Sequence, residues 1–224
     1  MVDKSYKVSC DEQATCLELH SPLTIHYPSL IIHYSLLIIM SDHLKWETLS
    51  SEYVAKENWF TVRKDTCKRS DGKIINNYYV FEFPEWATAF PITAEGKILM
   101  TRQYRHAIKE VCLELPGGCV DATDNTYEDA IRRELLEETG YEFTDVKPLG
   151  KISANPSTNS NLMHMFLATG GRKVKEQMLD DNEQIDILEL TFDELMQLID
   201  ENKILQAMHI TTIYYALRYL DIEI

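Results

Sequence analysis

The sequence predicts an α+β fold, a layered domain on a mixed central sheet and not an all-parallel doubly wound one. Short β-rich runs separated by turn residues fill the chain up to about residue 115. A helical pattern replaces them over residues 127–139, and further strands and two more helical segments follow.

Within residues 59–83, two runs rich in Val, Ile, Tyr, Phe and Thr flank Asp71-Gly72, a dipeptide suited to the positive φ angles of a tight turn. They predict an N-terminal β-hairpin. Residues 87–93 and 97–104 form a second pair around Glu95-Gly96, and a short strand follows at 111–115. The first helix is marked by Ile131 and Leu135, four apart on one side, and stops at Gly140, the place of a C′ glycine. Residues 162–169 and 184–190 read as strands. Thr191-Phe192-Asp193-Glu194 is a capping box that opens a helix with Leu195, Leu198 and Ile199 on its apolar side, and a last helix is expected over about 205–220.

Composition limits the function classes. The chain has 224 residues, 45% hydrophobic and 26% charged, a soluble globular composition. Its net charge of -14 argues against nucleic acid as partner, because that affinity comes largely from Lys and Arg neutralising phosphates. An anionic substrate would need cations as mediators. Cys10, Cys16, Cys67, Cys112 and Cys119 form no CxxC pair, which fits a reducing, cytoplasmic setting.

Residues 19–40 carry no formal charge, but Pro22 and Pro28 break the stretch and three histidines interrupt it. The apolar run after His33 is too short for roughly 30 Å of hydrocarbon, so no membrane segment is expected. Leu23-Thr24-Ile25-His26-Tyr27 and Leu30-Ile31-Ile32-His33-Tyr34 make a near-repeat unlike anything later in the chain. We read residues 1–39 as an uncertain or disordered N-terminal extension, left out of the fold on the hypothesis that the reading frame is over-extended there, 40–84 as a β domain and 85–224 as the main domain.

The chemistry concentrates in Arg133-Glu134-Leu135-Leu136-Glu137-Glu138. Glu134, Glu137 and Glu138 stand at i, i+3 and i+4, so one helix face carries three neighbouring carboxylates. A bound divalent cation would reverse their repulsion, and hard oxygen ligands suit Mg²⁺ or Mn²⁺. A solvated acidic surface would show the same spacing.

The context is Glu114-Leu115-Pro116-Gly117-Gly118, a strand end running into a glycine turn. The segment from Gly118 to Tyr141 resembles the Nudix box, and residues 133–140 match its second half position by position. The resemblance implies a Nudix-type α/β/α sandwich with a mixed central sheet, preceded by the N-terminal β-hairpin domain. It also implies that Glu134, Glu137 and Glu138 bind metal and that Arg133 orients them through salt bridges. The first half of the box departs from the pattern. Residues 121–126 are one residue longer than the usual turn, and Asp124 stands in for its first glutamate.

Arg102-Gln103-Tyr104-Arg105, followed by the Glu114–Gly118 run, resembles the ADP-ribose pyrophosphatase and nucleotide-sugar diphosphatase subgroup. That likeness implies substrate binding by Arg105 and Arg102, by Gly118, and by Pro156, which lies sixteen residues after Gly140. Edge-strand charges and an ordinary loop proline are the plainer readings. An acidic residue common in the family ahead of the 162–169 strand is replaced here by Ser160 or Asn161. Glu183, within Asp180-Asp181-Asn182-Glu183-Gln184-Ile185, fits the mobile-loop glutamate that ligates metal or activates water, although such a loop can equally be plain surface.

Trp59 falls where related enzymes stack an aromatic on adenine, and it could also be a hairpin core residue. Residues 46–83 resemble the exchanged domain of those dimers, which implies a homodimer. The expected reaction is metal-dependent hydrolysis of ADP-ribose to AMP and ribose 5-phosphate. Another nucleotide sugar, NADH or a dinucleoside polyphosphate is the alternative substrate, and a weakened nucleotide-sensing module is the alternative class.

Overall fold

Strand pairing divides the described residues of the computed structural model, 42–57 and 60–222, between a three-stranded and an eight-stranded sheet. The extension at 1–39 lies outside the described residues. A 3-10 turn at Asp42–Leu44 comes first in sequence.

The smaller sheet is antiparallel, with β1 (Glu47–Glu57), β2 (Phe60–Lys68) and β3 (Ile74–Glu82) in that order. The expected hairpin is therefore β2 and β3, and β1 adds a strand that the sequence hid. Its residues are almost all exposed, so no period-2 apolar pattern marks it, and two register shifts interrupt its ladder with β2. The turn also corrects the expectation. Arg69 N–H donates to Lys73 O at 2.9 Å and Gly72 N–H to Arg69 O at 2.9 Å, and within the loop only Gly72 has a positive φ, +85°. This is a three-residue loop closed by a left-handed glycine, not a two-residue turn.

The larger sheet runs β11-β5-β4-β10-β8, with β6 on β5, β7 on β4 and β9 on β10. Its strands are β4 (Trp86–Thr93), β5 (Ile98–Arg105), β6 (Glu110–Glu114), β7 (Gly117–Cys119), β8 (Tyr141–Glu142), β9 (Asp145–Ile152), β10 (Met163–Lys173) and β11 (Ile185–Leu190). β4 and β10 are parallel and the other pairs antiparallel, so the sheet is mixed. Pro148 and Gly150 disguised β9. The strand shifts register where it passes them against β10, an arrangement that an edge strand tolerates.

Helices cover both faces. Strand alternation sends Ala87, Ala89, Leu99, Phe166 and Ala168 to one side, where they pack with Ala130, Ile131 and Leu135 of α1 (Tyr127–Thr139). Phe90, Ile98, Met100 and Leu167 face the other side, against Leu195 of α2 (Phe192–Asp200) and Ile213, Ala216 and Leu217 of α3 (Ala207–Tyr219). Thr191 and Glu194 form the expected capping box of α2.

The two sheets meet at residues 155–160. Phe81 N–H donates to Thr158 O at 2.7 Å, Ser160 N–H to Phe81 O at 3.0 Å, and the Tyr78 hydroxyl to Ser157 O at 2.7 Å.

Candidate active site

Burial of Ala130, Ile131 and Leu135 fixes the rotation of α1, and the same rotation turns Glu134, Glu137 and Glu138 toward the β7 turn. Thr126 starts the helix by accepting Asp129 N–H at 3.0 Å. Glu138 is 4% exposed, and its Oε2 accepts Gly117 N–H at 2.9 Å. Glu134 lies over Gly118, where a Cβ would stand 2.6 Å from its Oε1. The glycine turn is thus the space that the Glu134 carboxyl occupies. Gly117 serves the strand instead, since at its φ of +149° a Cβ would meet Ala87 O of β4 at 2.2 Å.

Arg133 ties the box together. Its Nη1 donates to Glu134 Oε1 at 3.0 Å and Glu137 Oε2 at 2.9 Å. Its Nε and Nη2 donate to Asp124 at 3.2 and 3.0 Å, and Nη2 also reaches Cys119 O at 3.0 Å. The Arg133 fork holds the Asp124 carboxyl below its ordinary range. The longer turn therefore still presents an anionic anchor for Arg133.

A cavity of about 490 Å³ opens over this face. Glu134, Glu137, Glu138 and Glu183 line it with Arg105 and Arg133, and Trp86, Met163, Met178 and Met208 supply apolar wall. Burial pushes the Glu134 carboxyl up to about 7, against the pull of Arg133. Burial also lifts Glu138 to about 8, against its bond from the Gly117 amide. The charge of Glu183 raises both. Ionising this group of acids inside the cavity is costly without added positive charge.

The donors are all carboxylate oxygens, a set that fits Mg²⁺ or Mn²⁺. Among the described residues, no three His, Cys, Asp or Glu side chains already stand together as a coordination set. Arg133 holds the Glu134 and Glu137 oxygens that a cation would share.

On the opposite wall, Arg105 lays its Nε edge on Glu114, with Nε–Oε1 at 2.9 Å and Nε–Oε2 at 3.2 Å, and Nη2 also pairs with Oε2. Glu114 is 3% exposed and accepts Gln103 Nε2 at 3.3 Å as well. Among the described residues, Arg105 bonds through Nε and Nη2, and the residue lines the cavity. His209, buried on α3, takes Leu115 N–H on its Nδ1 at 3.2 Å, and burial depresses its pKa to about 4, so it is neutral. It holds the strand end that leads into the glycine turn.

The structure gathers Arg105, Gly118, Arg133, Glu134, Glu137, Glu138 and Glu183 around one cavity. Arg102 and Pro156 are not among the lining residues. Arg102 pairs with Asp186 of β11 at 2.6 Å on an exposed part of the sheet. Pro156 sits in the turn that joins the two sheets. Trp59 lies outside the described residues. Asn161 is buried, and its Nδ2 donates to Pro84 O at 2.7 Å, a tie between segments and not a cavity ligand.

Glu114, which holds Arg105, and the lining residues Gln103, Trp86, Met163, Met208 and His209 were missed. Strand parity could have found the first two, because Gln103, Arg105 and Glu114 fall on one face of a β5–β6 pair. The others come from strands and a helix far apart in sequence, and no local signal joins them.

Residues 84–209 match the NUDIX domain, and residues 46–81 match the nucleoside diphosphate sugar hydrolase N-terminal domain. The first match covers more than half of the chain, which belongs to the Nudix family and is a Nudix hydrolase. Among its relatives is the ADP-ribose pyrophosphatase of Bacillus subtilis (strain 168), 27% identical over 185 residues that cover 79% of this chain and 96% of the relative. The methanol dehydrogenase activator of Bacillus methanolicus is 28% identical over 170 residues, 75% of this chain and 91% of that protein. The GDP-mannose pyrophosphatase of Klebsiella pneumoniae is 26% identical over 174 residues, 72% and 87% of the two chains. A solved structure described as an ADP compounds hydrolase superposes with a TM-score of 0.70 at 23% identity, over 79% of this chain and 95% of that one, and shows the shared fold.

Proposed function

We propose that the chain hydrolyses the diphosphate link of a nucleoside diphosphate sugar in the presence of Mg²⁺ or Mn²⁺, with ADP-ribose as substrate and AMP and ribose 5-phosphate as products. The observation that carries this reading is the convergence of Glu134, Glu137, Glu138 and Glu183 with Arg105 on one cavity. Glu134, Glu137 and Glu138 would hold the cation. When bound, it supplies positive charge opposite the diphosphate oxygens. Arg133 orients the carboxylates, and Arg105 meets the diphosphate. Glu183 takes a proton from water as the water oxygen bonds to one phosphorus, and the P–O bond to the other phosphate breaks.

A panel of nucleotide sugars, NADH and dinucleoside polyphosphates, assayed with Mg²⁺ and with EDTA, tests the proposal. Turnover should be highest on ADP-ribose and vanish with EDTA. Preference for GDP-mannose would keep the chemistry and change the substrate. Glu138→Gln and Glu137→Gln should each lose at least about a hundredfold in kcat while remaining folded, and near-normal turnover would refute the metal assignment. A second reading, a nucleotide-responsive regulator, draws on the relative named as a methanol dehydrogenase activator. It requires no turnover on any member of the panel.

The same proposal includes a cytoplasmic homodimer formed through the N-terminal β domain. It is supported by the free thiols of Cys67, Cys112 and Cys119 and by the exposed Leu49, Tyr53, Val54 and Phe60 on the smaller sheet, with exposed Trp46 just ahead of β1. Sedimentation velocity decides the oligomeric state.

A further inference from the structure

The segment that carries Glu183 is fastened to the carboxylate helix at that helix's own C-terminus. The last carbonyls of an α-helix have no amide one turn ahead. In α1 they are taken up by the chain just after β10. Val174 and Lys175 donate their amides to Gly140 O at 2.9 and 3.2 Å, and Met178 donates its amide to Glu137 O at 2.8 Å.

Glu138 O is served by a side chain instead. Gln177 Nε2 donates to it at 2.6 Å and also to Ile185 O at 3.1 Å. One amide nitrogen thus bridges the helix end at Glu138 and the far end of segment 178–184. Glu183 lies in that segment, two residues before Ile185, and its carboxylate lines the cavity with those of Glu134 and Glu138. Glu183 bonds locally to Asp180, through Glu183 N–H to Asp180 O at 2.9 Å and Asp180 N–H to Glu183 Oε2 at 3.1 Å. Those two contacts shape the turn but do not fix where it stands relative to α1. Met178 N–H on Glu137 O ties its near end to the helix, and the bridge through Gln177 adds the tie that also reaches its far end at Ile185.

We propose that Gln177 is a positioning residue for hydrolysis, its amide clamping segment 178–184 to the end of α1 so that Glu183 is held over the glutamate face. This rests on the reading of Glu183 as the proton acceptor. A donor is needed at residue 177, since two carbonyl oxygens converge there. Gln177→Met keeps the length and removes the donor, and Gln177→Lys restores a donor within reach of both carbonyls.

The test is a double-mutant cycle with Glu183→Gln, reading kcat, KM and Tm on ADP-ribose with saturating Mg²⁺. Gln177→Met should lower kcat about ten- to thirtyfold with KM within about twofold, the scale of a small misplacement of a reacting group. In the Glu183→Gln background it should add less than about twofold, because the group it positions is already disabled. Gln177→Lys should recover most of the loss. Should Gln177→Met fail to fold, Gln177→Asn, which keeps the amide one methylene short, is read in the same cycle.

Equal losses in both backgrounds would mean that Gln177 only secures the helix end, and wild-type kcat in Gln177→Met would mean that it secures nothing the reaction uses. Either result overturns the inference alone. Wild-type turnover in Glu183→Gln would overturn the proton-acceptor assignment and the inference with it.

Discussion

Adding one methyl group at Gly118 tests the site more sharply than deleting a carboxylate. A Cβ there would stand 2.6 Å from Glu134 Oε1, 2.8 Å from its Cδ and 2.9 Å from Oε2. Ordinary contact begins at 3.4 Å, so the carboxyl has to retreat by 3.4 − 2.6 = 0.8 Å. The obstacle is a side-chain end, and Gly118 has no positive φ, so the backbone can accept alanine. A displacement near 1 Å costs roughly a hundredfold in rate, about 2.7 kcal/mol at 1.36 kcal/mol per decade. We expect Gly118→Ala to fold with a Tm close to wild type and to lose about thirty- to a hundredfold in kcat. Gly117→Ala is the contrast. Its Cβ would meet Ala87 O at 2.2 Å and Thr88 Cα at 2.7 Å, both backbone of β4, at φ +149°. That variant should lose stability, by about 3 kcal/mol or more. Products are read by phosphatase-coupled phosphate release, because AMP and ribose 5-phosphate are monoesters and ADP-ribose is not. A Gly118→Ala enzyme with kcat within about threefold of wild type would show that the position of Glu134 does not matter, and the metal-site reading would fall with it.

Other outcomes follow from the electrostatics. Glu134 and Glu138 are raised to about 7 and about 8 from 4.5, so their contribution to stability is full below 4.5 and is lost as pH rises through 8. Mg²⁺ should therefore raise Tm more at pH 8 than at pH 6, and an equal shift at both would contradict the assignment of these acids as ligands. His209 has the opposite sign. With its pKa depressed from 6.5 to about 4, its contribution is present above 6.5 and lost as pH falls through 4, up to about 3 kcal/mol at 1.36 kcal/mol per pH unit. His209→Asn should flatten the loss of urea stability between pH 7 and pH 5 relative to wild type, and parallel pH curves would count against a buried neutral histidine. Arg105→Ala should raise KM about tenfold or more, and Glu114→Ala should follow it by releasing the guanidinium. Arg102→Ala should stay within about twofold in steady-state assays, since its partner Asp186 is exposed and away from the cavity.

The glutamate helix was legible because everything that defines it is local. Ile131 and Leu135 set the buried side, Glu138 is buried alongside them with Glu134 and Glu137 following round the helix, and Gly140 ends the run. The capping box at Thr191 was legible for the same reason. What stayed hidden depends on partners distant in the chain. β1 is held by backbone pairing to β2 and shows almost no buried side, so its sequence gives no alternation. β7 is made of two glycines and a cysteine that read as a turn, and it becomes a strand only against β4. Arg102 and Arg105 look equivalent in sequence, yet one step of odd spacing along β5 sends them to opposite faces, Arg105 to Glu114 and Arg102 to Asp186. The wall of Met163 and Met208 exists because β10 runs parallel to β4 and α3 returns across the sheet.

Gly140 does more than stop a helix. At its φ of +75° a Cβ would stand 2.1 Å from Lys175 O, and its own carbonyl receives the amides of Val174 and Lys175. The helix end is thereby a gauge that fixes the angular register between the glutamate face and the seat of the Glu183 segment. One residue inserted between Glu138 and Gly140 would leave the helix intact but rotate that face by about 100° relative to the seat. The interval between the last glutamate and the glycine is therefore a mechanical dimension of the enzyme, and length variation in this chain belongs ahead of Thr126, where residues 121–126 already carry an extra residue.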